Sequence, residues 1–357
     1  MGLKQDRFYL LDFYRAIAAF SIVIFHYRIF YGIENNLQDL ILNKQPFYNI
    51  FFFAYESGWL AVQFFFILSG FIFFNLYLKK INNKKISFKN FFILRFSRLY
   101  PLHILTFFLV FLISFVLIEG NFLKNINLKH IILNIFLIQN WGFEDGPSFN
   151  EPSWSISIEI LMYSIFFFLA KTRRFLILLT FLLIILSSII FFKYKLIGYG
   201  GFCFFIGGLT NLIFEFLKKN NYLNGNNWLV FCLLLLFTSL IVYIMFTYNF
   251  SPPQLKVILI VFFFPSLILT SIIFPKKNAL IIKKISIVGN FSYSIYMIHF
   301  VIQLMFIFSL NKFNIFINFN SLYFFSIYIL ACIFVSIISF YYFETPMQNF
   351  IRKKLIF

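Results

Sequence analysis

Stretches of about twenty apolar residues follow one another along nearly the whole sequence. A helix of about that length spans the hydrocarbon core of a bilayer. Hydrophobic residues make up 61% of the chain and charged residues only 12%, and the mean hydropathy is +0.88. The core of a soluble protein cannot bury that much apolar surface. We therefore predict an all-α polytopic membrane protein.

The apolar stretches predict about ten transmembrane helices in a single integral-membrane domain that covers residues 1–357. The segment 131–140 is too short to cross a bilayer and is predicted to be re-entrant or interfacial. We expect Phe47 to Ala54 to form a separate element at the outer surface. The predicted spans are 9–30, 57–78, 96–118, 153–170, 175–192, 197–217, 228–248, 255–274, 287–310 and 321–343.

The formal net charge of +18 would suit a nucleic-acid partner, but the placement of the basic residues indicates otherwise. They form short clusters between the apolar stretches, as the positive-inside rule describes. With the N-terminus in the cytoplasm, 21 Lys and Arg residues fall on the cytoplasmic side and 8 on the outer side. This asymmetry predicts that both termini are cytoplasmic, and we expect no nucleic-acid partner.

The short connections leave no room for an attached soluble domain, so we expect any chemistry to take place within the membrane domain. The three cysteines are isolated within apolar stretches, which indicates neither a disulfide framework nor a thiolate metal site. We therefore predict no metal.

The first apolar stretch contains three ionisable residues, Asp12, Arg15 and His26. A charge in hydrocarbon is costly unless it faces protein or water, so these residues are functional-site candidates. On a helix, the step from Arg15 to His26 covers about three turns plus roughly 20° and rises roughly 16 Å, so both side chains point the same way. Asp12 lies three residues before Arg15 and could pair with it. From spacing alone, a functional set and a neutralised pair with a packing histidine are both open.

Four further polar motifs interrupt the apolar background. They are Ser69-Gly70-Phe71 at the end of GWLAVQFFFILSGF, Arg95 and Arg98 in FILRFSRLYP, Trp154, Ser155 and Glu159 in PSWSISIEI, and the C-terminal pair GNFSYSIYMIHF and YYFETPM with Tyr293, Tyr296, His299, Glu344 and Pro346.

In this order, the five motifs resemble the acyltransferase-3 family, membrane-bound O-acyltransferases of bacterial surface polysaccharides, from about Leu11 to about Asn349. The resemblance implies an inner-membrane enzyme that moves an acyl group, most often acetyl, from cytoplasmic acyl-CoA to a hydroxyl of a cell-surface or lipid-linked glycan. Its partners would be acyl-CoA, the glycan and membrane lipid, without a metal or prosthetic group. Ala61 and Gln63 replace the glycine and the acidic residue common in the family, which leaves the acceptor subfamily open.

Ester formation from a thioester needs a base for the hydroxyl proton and an anchor for the polyanionic donor. His26 is the predicted catalytic base, because imidazole titrates near neutrality. Glu159 is the second predicted catalytic residue, which would orient or charge-balance His26 or position the acceptor. A hydrogen bond from Glu159 to a neighbouring helix is the structural alternative.

Arg95 and Arg98 are predicted to bind the donor. Their i, i+3 spacing directs both side chains to one place, and guanidinium groups bind phosphate through two parallel hydrogen bonds. Arg15 is predicted to hold the extended arm of coenzyme A. Positive-inside anchoring is the alternative role for the pair.

The remaining motif residues are predicted to bind the acceptor: Ser69, Trp154, Ser155, Tyr296 and His299. For His299, a hydrogen bond between helices is an equally good interpretation. Whether the acyl group passes directly to the glycan or through an acyl-histidine is open at this stage.

Two other classes of function compete with an acyltransferase. A transporter or flippase for lipid-linked sugars would also carry scattered intramembrane charges, but it would more often show internal repeats and mid-span breaks. The chain shows no internal repeat, and its prolines lie mainly at span ends. A sensor or polymerase partner without chemistry would not need ionisable residues on one helix face.

Overall fold

The computed structural model of the chain consists of α-helices joined by short turns, with no β-strand in the part of the chain that is described. The all-α prediction is therefore confirmed. The described residues are 8–34, 42–116, 125–220, 222, 227–248, 250–273, 283 and 286–356.

Within those ranges, α1 continues as a 3₁₀ helix over Tyr27–Glu34, and π turns at Leu259–Phe263 and Phe340–Glu344 follow α10 and α13. The α-helices are α1 Tyr9–His26, α2 Tyr48–Ser57, α3 Leu60–Asn82, α4 Phe88–Val116, α5 Leu128–Ile135, α6 Trp154–Lys171, α7 Leu176–Ile190, α8 Lys195–Lys219, α9 Asn227–Thr247, α10 Pro252–Ile258, α11 Phe264–Ile273, α12 Ser292–Lys312, α13 Leu322–Ser339 and α14 Thr345–Leu355.

Nine helical stretches among the described residues are long and apolar enough to cross a membrane. The predicted span 228–248 corresponds to α9, whose apolar part, Leu229–Met245, is a little shorter than these nine. The segment 131–140 holds the eight-residue helix α5, and Phe47 to Ala54 largely falls in the separate helix α2. The chain is thus a polytopic membrane protein with short helices where short elements were predicted.

Several helix boundaries differ from the sequence prediction, and two of them bear on the candidate site. α4 begins at Phe88, eight residues before the predicted span, because the Ser87 Oγ accepts a hydrogen bond from the Asn90 N–H at 3.2 Å and caps the helix. α1 ends at His26, and the chain then tightens into the 3₁₀ helix. His26 therefore occupies the end of a helix rather than its interior.

The chain divides into two compact units. The first unit contains 1–17, 62–85 and 164–290, and the second contains 18–61, 86–163 and 291–357. Helices α1 and α6 contribute residues to both units.

In the first unit, α3 and α8 meet backbone to backbone at two glycines. A Cβ on Gly70 would lie 1.9 Å from the Phe204 carbonyl oxygen, and one on Gly207 would lie 1.9 Å from the Ile67 carbonyl oxygen. Only residues without a side chain allow this approach. Gly70 and Gly207 therefore allow the close contact of α3 and α8.

In the second unit, α12 packs against α4 and α13, and α14 packs against α4. Most residues of α12 are buried, including polar ones at Tyr293, Tyr296, His299 and Gln303. These four recur every three or four residues and therefore form one polar face along the helix. That face is where the candidate site is found.

Candidate functional site

Two histidines from distant parts of the chain meet in the second unit. Nδ1 of His26 lies 2.8 Å from Nε2 of His299, and the two rings are within 5° of parallel. The exposed fraction of His299 is 0%, whereas His26 is only half-buried. His26 is therefore the more exposed residue of the pair.

The main chain of His26 is held by a second residue of α12. The last carbonyl groups of an α-helix have no partner within the helix. The Gln303 Nε2 supplies one by donating to the His26 carbonyl oxygen at 2.8 Å. Gln303 lies one turn after His299, so α12 fixes both the ring and the backbone of His26.

The start of α6 is fastened to the same face of α12. The Tyr296 hydroxyl donates to the Pro152 carbonyl oxygen at 2.7 Å, and the Ser155 Oγ lies 2.8 Å from that hydroxyl. Tyr296 precedes His299 by three residues, about one helical turn. The structure therefore brings Ser155 and Tyr296 together, one turn from the histidine pair.

Glu159 lies one turn further along α6 than Ser155, and its carboxylate accepts a hydrogen bond from the Tyr163 hydroxyl. This hydrogen bond lies within α6, one turn from the contact of Ser155 with Tyr296 of α12.

Two motif arginines and a third arginine lie on the helices α4 and α14. Arg95 and Arg98 are half-buried at i, i+3 on α4. Arg352 of α14 donates from Nε to the Ser97 Oγ at 3.1 Å and from Nη2 to the Leu94 carbonyl oxygen at 3.0 Å. Arg352 therefore fastens α14 to the turn of α4 that carries the motif arginines.

Tyr293 links α4 to the polar face of α12. Its hydroxyl donates to the Leu99 carbonyl oxygen of α4 at 2.5 Å. From Tyr293 to His299 the helix rises roughly 9 Å. One face of α12 therefore contacts both the helix that carries the motif arginines and His26.

The remaining predicted site residues are Arg15, Ser69 and Trp154. Arg15 belongs to the first unit and forms an ion pair with Asp12 at 3.3 Å, which confirms the predicted pairing. Ser69 also belongs to the first unit, beside the glycine crossing of α3. Trp154 is the half-buried first residue of α6 in the second unit. Their roles in binding stay predictions.

The sequence prediction missed three residues of this arrangement. Gln303 follows His299 by four positions in an apolar helix, so the i, i+4 spacing could have revealed it. Asn150 precedes α6 and donates from Nδ2 to the Met297 carbonyl oxygen at 3.1 Å, which no local pattern signals. Arg352 lies in a basic cluster whose composition indicates only membrane anchoring.

The arrangement is suited to moving a proton and binding an anion. An accessible imidazole held by a second imidazole can accept a proton from a hydroxyl. Clustered guanidinium groups bind phosphate. Among the described residues, no group of three His, Cys, Asp or Glu side chains could hold a metal ion.

Comparison with known proteins adds a family assignment. The acyltransferase domain that defines the acyltransferase-3 family matches residues 8–341. The chain belongs to the acyltransferase-3 family. The polar motifs that suggested it fall within the matched range, apart from YYFETPM, of which only Tyr341 is included, and Arg352 also lies beyond the range. No solved structure matches the chain.

Similar proteins match this acyltransferase-3 chain over shorter segments. Acyltransferase MdmB of Streptomyces mycarofaciens is 35% identical over 111 residues, 30% of this chain and 27% of that protein. A Staphylococcus aureus protein named as an O-acetyltransferase is 31% identical over 167 residues, 44% of this chain and 23% of that protein. The peptidoglycan O-acetyltransferase OatA of Listeria monocytogenes is 32% identical over 129 residues, 33% of this chain and 20% of that protein. The matches thus span about a quarter of each relative's length.

Proposed function

We propose that this protein is an O-acyltransferase of the bacterial inner membrane, with both termini in the cytoplasm. It moves an acyl group, acetyl in the first instance, from cytoplasmic acyl-CoA to a hydroxyl of a cell-surface or lipid-linked glycan. Membership of the acyltransferase-3 family and the names of the similar proteins support the reaction class. The observation that carries the proposal is the half-buried His26 ring, which is held at Nδ1 by His299 and leaves Nε2 for a substrate.

We assign the donor to the arginines of α4. Arg95 and Arg98 are half-buried at i, i+3 on that helix. The phosphates of coenzyme A carry the charge that guanidinium groups bind. Helix α4 contacts α12 at Tyr293, and His26 contacts it at His299, and these two positions are separated by a rise of roughly 9 Å. An extended thiol arm can cover that distance.

In the proposed reaction, His26 Nε2 takes the proton of the acceptor hydroxyl as the oxygen attacks the thioester carbonyl carbon. A carbon–oxygen bond forms, the carbon–sulfur bond breaks, and the proton on His26 passes to the coenzyme A thiolate. Atoms and charge balance without an oxidant or a metal. In this proposal Glu159 positions the acceptor or balances the charge that develops on His26.

A transporter or flippase of lipid-linked sugars is the competing function. It would move its substrate without changing the substrate's mass. The polar groups of the second unit favour chemistry over passage, because His26, Ser155 and Tyr296 are fixed by hydrogen bonds to one helix or its neighbour.

The deciding experiment measures the mass of purified surface glycans from three strains: the intact bacterium, a deletion of this gene, and His26→Ala at equal membrane abundance. We expect a discrete acyl mass, about one acetyl per repeat, to disappear from the deletion. Removal of a general base lowers the rate by about 10²–10⁴-fold, so His26→Ala should lose the same mass.

The control is a membrane preparation supplied with labelled acetyl-CoA, in which wild-type protein should transfer label to glycan. A glycan that shortens or vanishes in the deletion while its remaining units keep their mass would instead establish transport.

A further inference from the structure

We propose that His299 is a positioning residue that sets the tautomer of His26, so that Nε2 of His26 is the basic nitrogen of the site. This inference rests on the proposed acyl transfer and assigns His299 a role other than contact with the acceptor. It follows from two linked contacts: Nδ1 of His26 lies beside Nε2 of His299, and Nδ1 of His299 lies beside the Ile295 carbonyl oxygen.

The first step concerns the proton on His299. Its Nδ1 lies 3.2 Å from the carbonyl oxygen of Ile295, one turn earlier on α12. A carbonyl oxygen can only accept, so His299 Nδ1 must carry the hydrogen. A charged ring inside a bilayer is costly, and a neutral ring with its proton on Nδ1 has a lone pair on Nε2.

The second step concerns the proton on His26. His299 Nε2 is an acceptor, and it lies 2.8 Å from His26 Nδ1. His26 Nδ1 must therefore carry the hydrogen, which leaves the lone pair of the neutral ring on Nε2. The opposite assignment would make His299 Nε2 a donor and would place the His26 proton on Nε2, where the ring could not act as a base.

The third step is the difference in exposure. His299 has an exposed fraction of 0%, whereas His26 is half-buried. Nε2 of His299, which accepts the hydrogen of His26 Nδ1, is therefore fully enclosed. Gln303, on the same helix, holds the His26 main chain at 2.8 Å. The ring can then neither rotate nor exchange tautomers freely. A second residue that fixes the tautomer of a catalytic histidine is a recurring device of acid–base catalysis.

The test compares full-length variants in membranes supplied with labelled acetyl-CoA and glycan acceptor. His299→Leu removes the acceptor and should lower kcat by about 10²–10³-fold with little change in KM. His299→Gln places an amide oxygen near the former Nε2 and should keep kcat within about tenfold of wild type.

His103→Leu is the matched control. His103 is also 0% exposed in the second unit and hydrogen-bonds through Nε2 to the Asn134 carbonyl oxygen at 2.8 Å. It should lose thermal stability while keeping kcat. If His299→Leu keeps its kcat, loses activity only through KM, or is matched by an equally inactive His299→Gln, the positioning role is overturned. If wild-type protein transfers no label, the proposed function itself fails.

A second measurement does not depend on turnover. The chain has only 4 histidines, so ¹⁵N-histidine solid-state NMR can assign each ring by difference from the variants. We expect protonated Nδ1 and bare Nε2 for both His26 and His299. A protonated Nε2 on His26 in the neutral protein would contradict the proposal.

Discussion

At the scale of single residues, the connection between α5 and α6 contains a carboxyl group with unusual protonation. The pKa of Glu144 is raised from 4.5 to about 7, mainly because the carboxyl group is buried; the hydrogen bond from Asn140 lowers it and the nearby Asp145 charge raises it. This residue lies outside the candidate membrane spans. Because its pKa is about 7, the carboxyl group changes protonation near neutral pH.

A carboxyl group whose pKa is higher in the folded protein than in the unfolded chain takes up protons on folding. The free energy of unfolding therefore falls as the pH rises from about 4.5 through about 7. We expect the Tm of wild-type protein in detergent to fall by about 1–2 °C more than that of Glu144→Gln between about pH 5 and about pH 8. The figure is small because the side chain is only half-buried and water screens its charge. Parallel curves for the two proteins would disprove the pKa shift.

Some contacts between single residues can be predicted from the sequence, and others cannot. Asp12 and Arg15 are three residues apart on one helix, so their ion pair follows from local geometry. The contact of His26 with His299 joins positions that no helical periodicity relates. The motif resemblance selected both histidines, but only the structure shows that Nδ1 of His26 contacts Nε2 of His299.

At the scale of helices, the α3–α8 crossing is the tightest described contact of the first unit. Gly207→Ala would place a methyl group 1.9 Å from the Ile67 carbonyl oxygen, so the two helices would have to separate. We expect this variant to lower membrane abundance and to reduce the free energy of unfolding by about 2–4 kcal/mol. Thermal unfolding in detergent would measure the change.

Gly208→Ala is the matched control for that variant. Its added methyl would meet ring atoms of Phe74 at 2.5 Å, and a side chain can move where a backbone cannot. We expect a smaller loss of stability. Equal losses for the two variants would show that the crossing does not depend on backbone contact.

Helix positions were largely predictable, because apolar length and flanking charge are local properties. The early start of α4 could have been read from the cap at Ser87, which precedes the first apolar residue. The end of α1 at His26 could not, since the apolar pattern continues past it into the 3₁₀ helix. Where the α-helix gives way to the 3₁₀ helix, Gln303 of α12 donates a hydrogen bond to the His26 carbonyl oxygen.

At the scale of the whole molecule, the charge asymmetry predicts which loops face the cytoplasm. The exposed Lys85 lies between α3 and α4 on the predicted inner side, and the exposed Phe143 lies between α5 and α6 on the predicted outer side. A membrane-impermeant thiol reagent applied to intact cells should label Phe143→Cys and should label Lys85→Cys only after the membrane is opened.

The labelling needs a background without native thiols, because Cys232 is exposed. Cys203, Cys232 and Cys332 would be replaced first, and retained glycan acylation would show that this background is folded. Labelling of Lys85→Cys in intact cells would reverse the orientation and would move the motif arginines of α4 to the outside.

The histidine contact also has a consequence for how the protein is made. His26 and His299 are separated by 273 positions in the chain. At ordinary rates of synthesis, roughly 15–50 s pass between the translation of the first and the second. During that time the opening helix has emerged, but the partner of its last side chain does not yet exist. A chain that ends before His299 therefore lacks the partner of His26, and under the proposed mechanism it lacks the residue that sets the His26 tautomer.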